Sequence, residues 1–184
     1  MSGHSRWSQI KHKKSLTDQK RGQAFSKLSK NITLAARKGA DPKSNIALAN
    51  AIEQARRENM PNDNIDRAIK KASEKDSAQL EEIMVEAIWA GARLRQGFGG
   101  QGVALKIQGI TDNKNRTVSE IKKILSDHEA KMVQPGSISW MFNTPIQIDE
   151  QIQQRLDGLF DALDNLDDVS GIVSNSKFKN QSVK

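Results

Sequence analysis

Apolar residues recur at helical spacing over three successive stretches of the N-terminal half, and the period then changes. Phe25, Leu28, Ile32 and Ala35 stand three and four residues apart between Asp18 and Lys38, which predicts a first helix with Gly39 as its stop. Asp41-Pro42 is a start signal, since proline is accepted in a first turn. Ile46, Leu48, Ala51, Ile52 and Ala55 then predict a second helix ending near Asn59. Pro61-Asn62-Asp63 opens a third, with Ile65, Ala68, Ile69 and Ala72 on one face. Three such helices make a small bundle over residues 17–76. Ahead of it, residues 1–16 carry only Trp7, Ile10 and Leu16 as large apolar groups, too few to fix a helix, and read as a flexible arm that orders on a partner.

Beyond a polar linker around Glu74 to Gln79 the pattern becomes extended. Ile83 to Trp89 and Gly102 to Ile110 read as strands, the second partly alternating. Thr117-Val118-Ser119-Glu120 has the form of a capping box, followed by Val118, Ile121, Ile124 and Leu125 as a buried helical face. Ser137 to Phe142 and Pro145 to Ile148 are strand-like. Ile152, Leu156, Leu159, Phe160 and Leu163 mark another helix, and Val169 to Ser174 closes with a strand. The order β-β-α-β-β-α-β over residues 80–176 predicts an α+β multidomain chain: an N-terminal three-helix domain, then a ferredoxin-like α/β domain with two helices on one face of an antiparallel sheet. Residues 177–184 read as a disordered tail. Ala90 to Gln101, between the first two strands, is longer than a hairpin loop and reads as a mobile surface insertion. Its glycines lack the Gly-Lys-Ser/Thr and following helix start that a phosphate loop requires.

At 184 residues the chain can bury a core without staples, and its lack of cysteine excludes disulfides, thiolate zinc sites and cysteine nucleophiles. The N-terminal residues have no apolar signal core and no stretch reaches a membrane span, so a cytoplasmic location is expected. Charge sharpens the division into parts: residues 1–75 hold 17 basic and 7 acidic side chains, whereas residues 76–184 hold 12 basic and 15 acidic. A basic module beside a mildly acidic one points to an anion-binding part, for which nucleic acid is the usual partner.

The arm and first helix supply the candidate residues: Arg6, Trp7, Lys11, His12, Lys13, Lys14, Lys20, Arg21, Lys27, Lys30, Arg37 and Lys38. At about 100° per residue, with Lys20 at zero, Lys27, Lys30, Arg37 and Lys38 fall between about −100° and 0°, and the apolar residues between about +60° and +140°. Eleven basic residues against two acidic in residues 1–50 exceeds what a solvated surface needs. Contacts of this kind neutralise phosphates and release counterions, giving affinity with little sequence information. Trp7 could stack on a base or pack the arm. Asn113, Lys114, Asn115 and Arg116, between a strand and a helix start, form a second candidate anion site, with an ordinary Asx-stabilised turn as the alternative.

No metal site is expected, because His4 and His12 lack a third ligand and the Asp161, Asp164, Asp167, Asp168 run lacks the ligand spacing of a calcium loop and reads as a solvated face. His128 reads as a cation near a helix C-terminus. With no nucleophile beside a base, neither catalysis nor a cofactor is implied.

Ser2-Gly3-His4-Ser5-Arg6-Trp7, Ile10-Lys11-His12-Lys13-Lys14, Asp18 to Gly22, Asn59 to Ile65, Thr111 to Thr117 and Gly136 to Phe142 together resemble the YebC/PmpR family, related to the mitochondrial translational activator of cytochrome c oxidase. The resemblance implies a helical N-terminal domain, an α/β domain, and roles as transcriptional regulator and as ribosome-associated translation factor that aids elongation through sequences such as proline runs. Two departures stand out. Trp140 to Thr144 runs straight into Pro145 to Ile148, where the family carries a third domain, and Ala90 to Gln101 replaces a short glycine-rich turn. The leading expectation is a monomeric RNA- or ribosome-binding factor. A DNA-binding transcriptional regulator and a small-molecule-sensing module are the alternatives; helix three offers only Arg67, Lys70 and Lys71 for reading bases.

Overall fold

The computed structural model describes residues 18–73, 80–90 and 102–178. Their contacts divide the chain into two units, one comprising the described part of Ser15–Glu82 with Ile110–Lys114, the other the described parts of Ile83–Gly109 and Asn115–Lys184. In the first unit the helices are α1 (Asp18–Ala36), α2 (Ile46–Arg57) and α3 (Asn62–Ser73). The buried residues of α1, Leu28, Ile32 and Ala36, meet Leu48, Ala51, Ile52 and Ala55 of α2 and Ile65 and Ala68 of α3 in one core. Each fully buried Leu or Ile of this kind stabilises the fold by about 1.5–3 kcal/mol. Thr33 is buried there too, its hydroxyl donating to the Ala68 carbonyl at 2.9 Å.

The start of the second helix differs from the sequence expectation. Asp41-Pro42 forms a turn, with the Asp41 carboxylate accepting from the Lys43 amide at 3.0 Å, and the cap is Asn45. Asn45 Oδ1 accepts from the Leu48 amide at 3.1 Å, while its Nδ2 donates to the Ala35 and Gly39 carbonyls at 2.9 and 2.7 Å. One buried side chain thus starts α2 and satisfies carbonyls at and beyond the end of α1, a double duty that the Asp-Pro signal could not supply. Ile46, assigned to the buried face, is 78% exposed, because the helix begins with it and the apolar stripe starts at Leu48. At the other end Asn59 adopts φ 58°, and the Met60 and Asn59 amides return to the Ala55 and Arg56 carbonyls, both at 3.0 Å, a Schellman closure.

The second unit contains β1 (Glu81–Trp89), β2 (Val103–Thr111), α4 (Lys114–Asp127), β3 (Ala130–Val133), a 3₁₀ turn (Ser139–Asn143), β4 (Ile146–Ile148), α5 (Glu150–Asp164), β5 (Val169–Ser174) and β6 (Ser176–Phe178); the ends of β1 and β2 and the first residue of α4 fall in the helical unit. Four strands form a sheet in the order β3-β1-β2-β5, with β1–β3 and β2–β5 antiparallel. Ile83, Val85, Ala87 and Trp89 alternate along β1 and Val103, Leu105 and Ile107 along β2. They share one core with Ile121 and Leu125 of α4 and Leu156, Leu159, Phe160 and Leu163 of α5, so both helices cover the same face. Trp89 Nε1 donates to the His128 carbonyl at 2.8 Å, which lets the indole be buried at no cost in unmet donors. The α+β expectation therefore holds.

Three local expectations give way. Ser137 to Phe142 is no strand: Ile138 and Met141 are buried three residues apart while Trp140 is exposed, the period of a 3₁₀ turn, and the Pro135-Gly136 pair turns the chain before it. The third strand is instead Ala130–Val133. The capping box at Thr117 is also absent, because α4 begins one turn earlier at Lys114 and Thr117 is buried inside it. Lys177, expected in a frayed tail, lies in β6, which pairs in parallel with β4. Residues 90–101 belong to the expected insertion, of which all but Ala90 lie outside the described residues, as does the tail from 179.

Asn175 fastens the segment after the 3₁₀ turn. Its Oδ1 accepts from the Ala104 amide at 2.9 Å, its Nδ2 donates to the Met141 carbonyl at 3.1 Å, and its backbone carbonyl accepts from the Ile146 amide at 2.9 Å. Replacing Asn45 by alanine is expected to lower the unfolding free energy of the helical unit by about 1–3 kcal/mol, from a lost cap and carbonyls left without their donor. Urea unfolding followed by helical circular dichroism checks this, and a midpoint unchanged in Asn45→Ala would contradict the role given to the side chain.

Candidate nucleic-acid interface

The basic candidates on α1 separate into groups once the helix is docked. The buried sector runs from about +40° at Ala24 through Leu28, Ile32 and Ala36 to Thr33 at about −140°, taking Lys20 as zero. Lys20 and Lys27 lie within about 20° of each other on α1, outside that sector, and Lys38 lies in the turn that follows Ala36. Lys20 and Lys38 are exposed and Lys27 half-buried. Lys30 sits further round, near about −80°, and Arg37, just past the end of α1, donates from Nη1 to the Leu80 carbonyl at 2.7 Å. That bond secures residue 80 within the helical unit. Arg21 stands apart from all of these at about +100°, inside the apolar sector. It projects where the α2–α3 turn leaves room, and with Ala24, Phe25, Glu58, Asn59 and Pro61 it lines a groove of about 480 Å³. Arg6, Trp7, Lys11, His12, Lys13 and Lys14 lie outside the described residues.

Sequence reasoning did not find the groove, because its two walls meet only through the left-handed Asn59; the signal present was the Asn59-Met60-Pro61 run after an apolar helical face. Lys43 is exposed in the turn before α2, and the other described basic residues of 39–73 are on α2 and α3. Arg57 pairs with Glu53 one turn back. Arg67 is bound to its own helix, to the Asn64 side chain and, at 3.2 Å, to the Asp63 carbonyl. Arg56, Lys70 and Lys71 are exposed.

The second candidate site changes character. Lys114, Asn115 and Arg116 form the first turn of α4 rather than a loop, and the Asn113 amide donates to the Thr111 hydroxyl at 2.9 Å. Arg116 Nη2 donates to Asp168 Oδ2 at 2.9 Å, and the Thr117 hydroxyl donates to the same oxygen at 2.6 Å. Asp168 is 6% exposed, so its assignment to a solvated acidic face is corrected: it is a buried carboxylate that accepts from a guanidinium and a hydroxyl. The Asp168 backbone lies so close to β2 that a Cβ on Gly109 would stand 2.6 Å from the Asp168 carbonyl oxygen, which explains a glycine at the irregular step Gln108/Gly109.

Among the described residues no group of three or more His, Cys, Asp or Glu is placed to hold a metal ion, and no helix is long and apolar enough to cross a membrane.

Residues 5–75 match the TACO1/YebC protein N-terminal domain, and residues 94–145 match the TACO1/YebC second and third domain. The chain belongs to the TACO1/YebC family. It is 44% identical over 161 residues to a probable transcriptional regulatory protein of Natranaerobius thermophilus, covering 85% of this chain and 60% of that one. A protein of the same name from Chlorobium phaeovibrioides is 44% identical over 178 residues, 93% of this chain and 66% of its own. The crystal structure of the conserved hypothetical protein Aq1575 from Aquifex aeolicus superposes with a TM-score of 0.78 at 27% identity, covering 98% of this chain and 100% of that chain. The chain spans 60–66% of the length of these two curated relatives, and in it Thr144 and Pro145 alone join the 3₁₀ turn to β4.

Asp168→Ala removes the acceptor for both Arg116 and Thr117 and is expected to cost about 1–3 kcal/mol, since Thr117 is buried while Arg116 remains half in water. Asp168→Asn keeps an oxygen for Thr117 and should cost less. Thermal unfolding of both variants tests the order, and equal losses would contradict the Thr117 bond.

Proposed function

We propose that this chain is a non-enzymatic, monomeric accessory factor that docks on ribosomal RNA and supports translation, its basic arm and α1 holding phosphates while the sheet unit sets orientation. The observation that carries the reading is that Lys20 and Lys27 of α1 and Lys38 just past its end stand outside the buried face of the helix, in a segment, residues 18–73, with 12 basic and 6 acidic side chains. Cations spaced along one helix face match a phosphate backbone, and each neutralised phosphate releases counterions, so affinity is strong at low salt and nearly indifferent to sequence.

A second reading, a DNA-binding transcriptional regulator, is favoured by the names of the relatives. Direct readout of duplex DNA needs an exposed helix with several side chains free to reach base edges. In α3 the arginine best suited to that task, Arg67, is bound to its own first turn, leaving Lys70 and Lys71. Both lysines suit phosphates better than bases, which weighs toward backbone contacts.

Co-sedimentation with ribosomes at low and high salt separates the readings. The intact chain is expected to pellet with ribosomes at low salt and to be released at high salt. The variant with Lys11, Lys13, Lys14, Lys20 and Arg21 changed to glutamine should lose most of the low-salt binding. No ribosome association at low salt, together with tight binding to one duplex DNA sequence, would overturn the proposal in favour of the regulator.

A further inference from the structure

The groove beside α1 differs from the lysine side of the helix in chemistry, and the difference suggests what enters it. Phe25, Pro61 and Ala24 give it apolar lining, and Arg21 adds a cation. Among the described residues Arg21 makes no ion pair or hydrogen bond, although it projects from the apolar sector of its helix rather than from the side of Lys20 and Lys27. Glu58 and Asn59 complete the lining. The groove's volume, about 480 Å³, is within the roughly 300–1,000 Å³ usual for sites that enclose small organic groups. A phosphate pushed into this space would lose water against Phe25 and Pro61. A nucleobase tolerates that loss: it is uncharged, its flat face stacks on an aromatic ring, and its polar edge can meet the side-chain amide of Asn59.

We propose that the Arg21–Phe25–Pro61 groove takes one unpaired nucleobase of an RNA strand, stacked on Phe25, with Arg21 on the adjoining phosphate. The inference rests on the nucleic-acid reading above and adds to it a site for a base, where the lysines offer only sites for backbone. Such a site makes the helical unit prefer single-stranded or looped RNA over a continuous duplex, whose bases are already stacked and paired.

The test is the affinity of the full chain for a short unpaired RNA and for its duplex across a salt series. Phe25→Leu keeps a large apolar side chain against the core, so the fold is retained, which a thermal melt verifies. It is expected to weaken binding to the unpaired RNA at least about five-fold, by loss of stacking, and to leave the salt slope unchanged. Asn59→Gly keeps the left-handed turn while removing the amide, and should weaken unpaired RNA selectively. Arg21→Gln is expected to flatten the plot of log affinity against log salt by about 0.7. Salt-sensitive RNA binding that is the same in Phe25→Leu and Asn59→Gly as in the intact chain overturns the base site alone. No RNA binding by the intact chain at low salt overturns the nucleic-acid reading as well.

Discussion

Helix α1 has to satisfy two demands that pull against each other, and the helical unit depends on their separation around its circumference. It buries Leu28, Ile32 and Ala36 against α2 and α3, and it keeps Lys20 exposed and Lys27 no more than half-buried outside that face. Burying an unpaired ammonium is far more costly than burying a leucine is favourable, so the register of the core face decides where every cation on the helix can point. The positions of the lysines are thus consequences of packing. Rotating α1 by one residue would carry these lysines toward the core and abolish the basic surface together with the fold.

The caps make that register specific. Asn45 joins the end of α1 to the start of α2 through three hydrogen bonds, and the Schellman closure at Asn59 fixes the turn into α3. With both connections short and hydrogen-bonded, Pro61 and Phe25 come to line one groove. In the sheet unit Asn175 and Asp168 do corresponding work: each is a buried polar group whose partners come from segments distant in sequence, and each ties a loop to the strand β2 or the helix α4.

The elements with long apolar repeats were legible from sequence: α1, α3, both central strands, α5 and β5 lie close to where periodicity placed them. Errors fell where a short motif was read without its tertiary partner. Thr117 to Glu120 satisfies the capping-box pattern, but Thr117 turns inward to Asp168, a bond across 51 positions that no local rule sees. Ser137 to Phe142 alternates like a strand, yet burial of Ile138 and Met141 selects a 3₁₀ turn. Asp168 looked like one member of an acidic run, and only the fold reveals the guanidinium and hydroxyl that permit its burial. The cationic residues of α1 could be grouped by helical angle alone. Arg21 could be assigned to the groove only once the α2–α3 turn was in place.

Ultraviolet crosslinking of the intact protein to ribosomes, with adducts identified by peptide mass, tests the central claim most directly. The account predicts RNA adducts concentrated between Lys20 and Lys38 and on the arm before them, with few in β1–β6. Adducts confined to the sheet unit, with α1 unmodified, would contradict it.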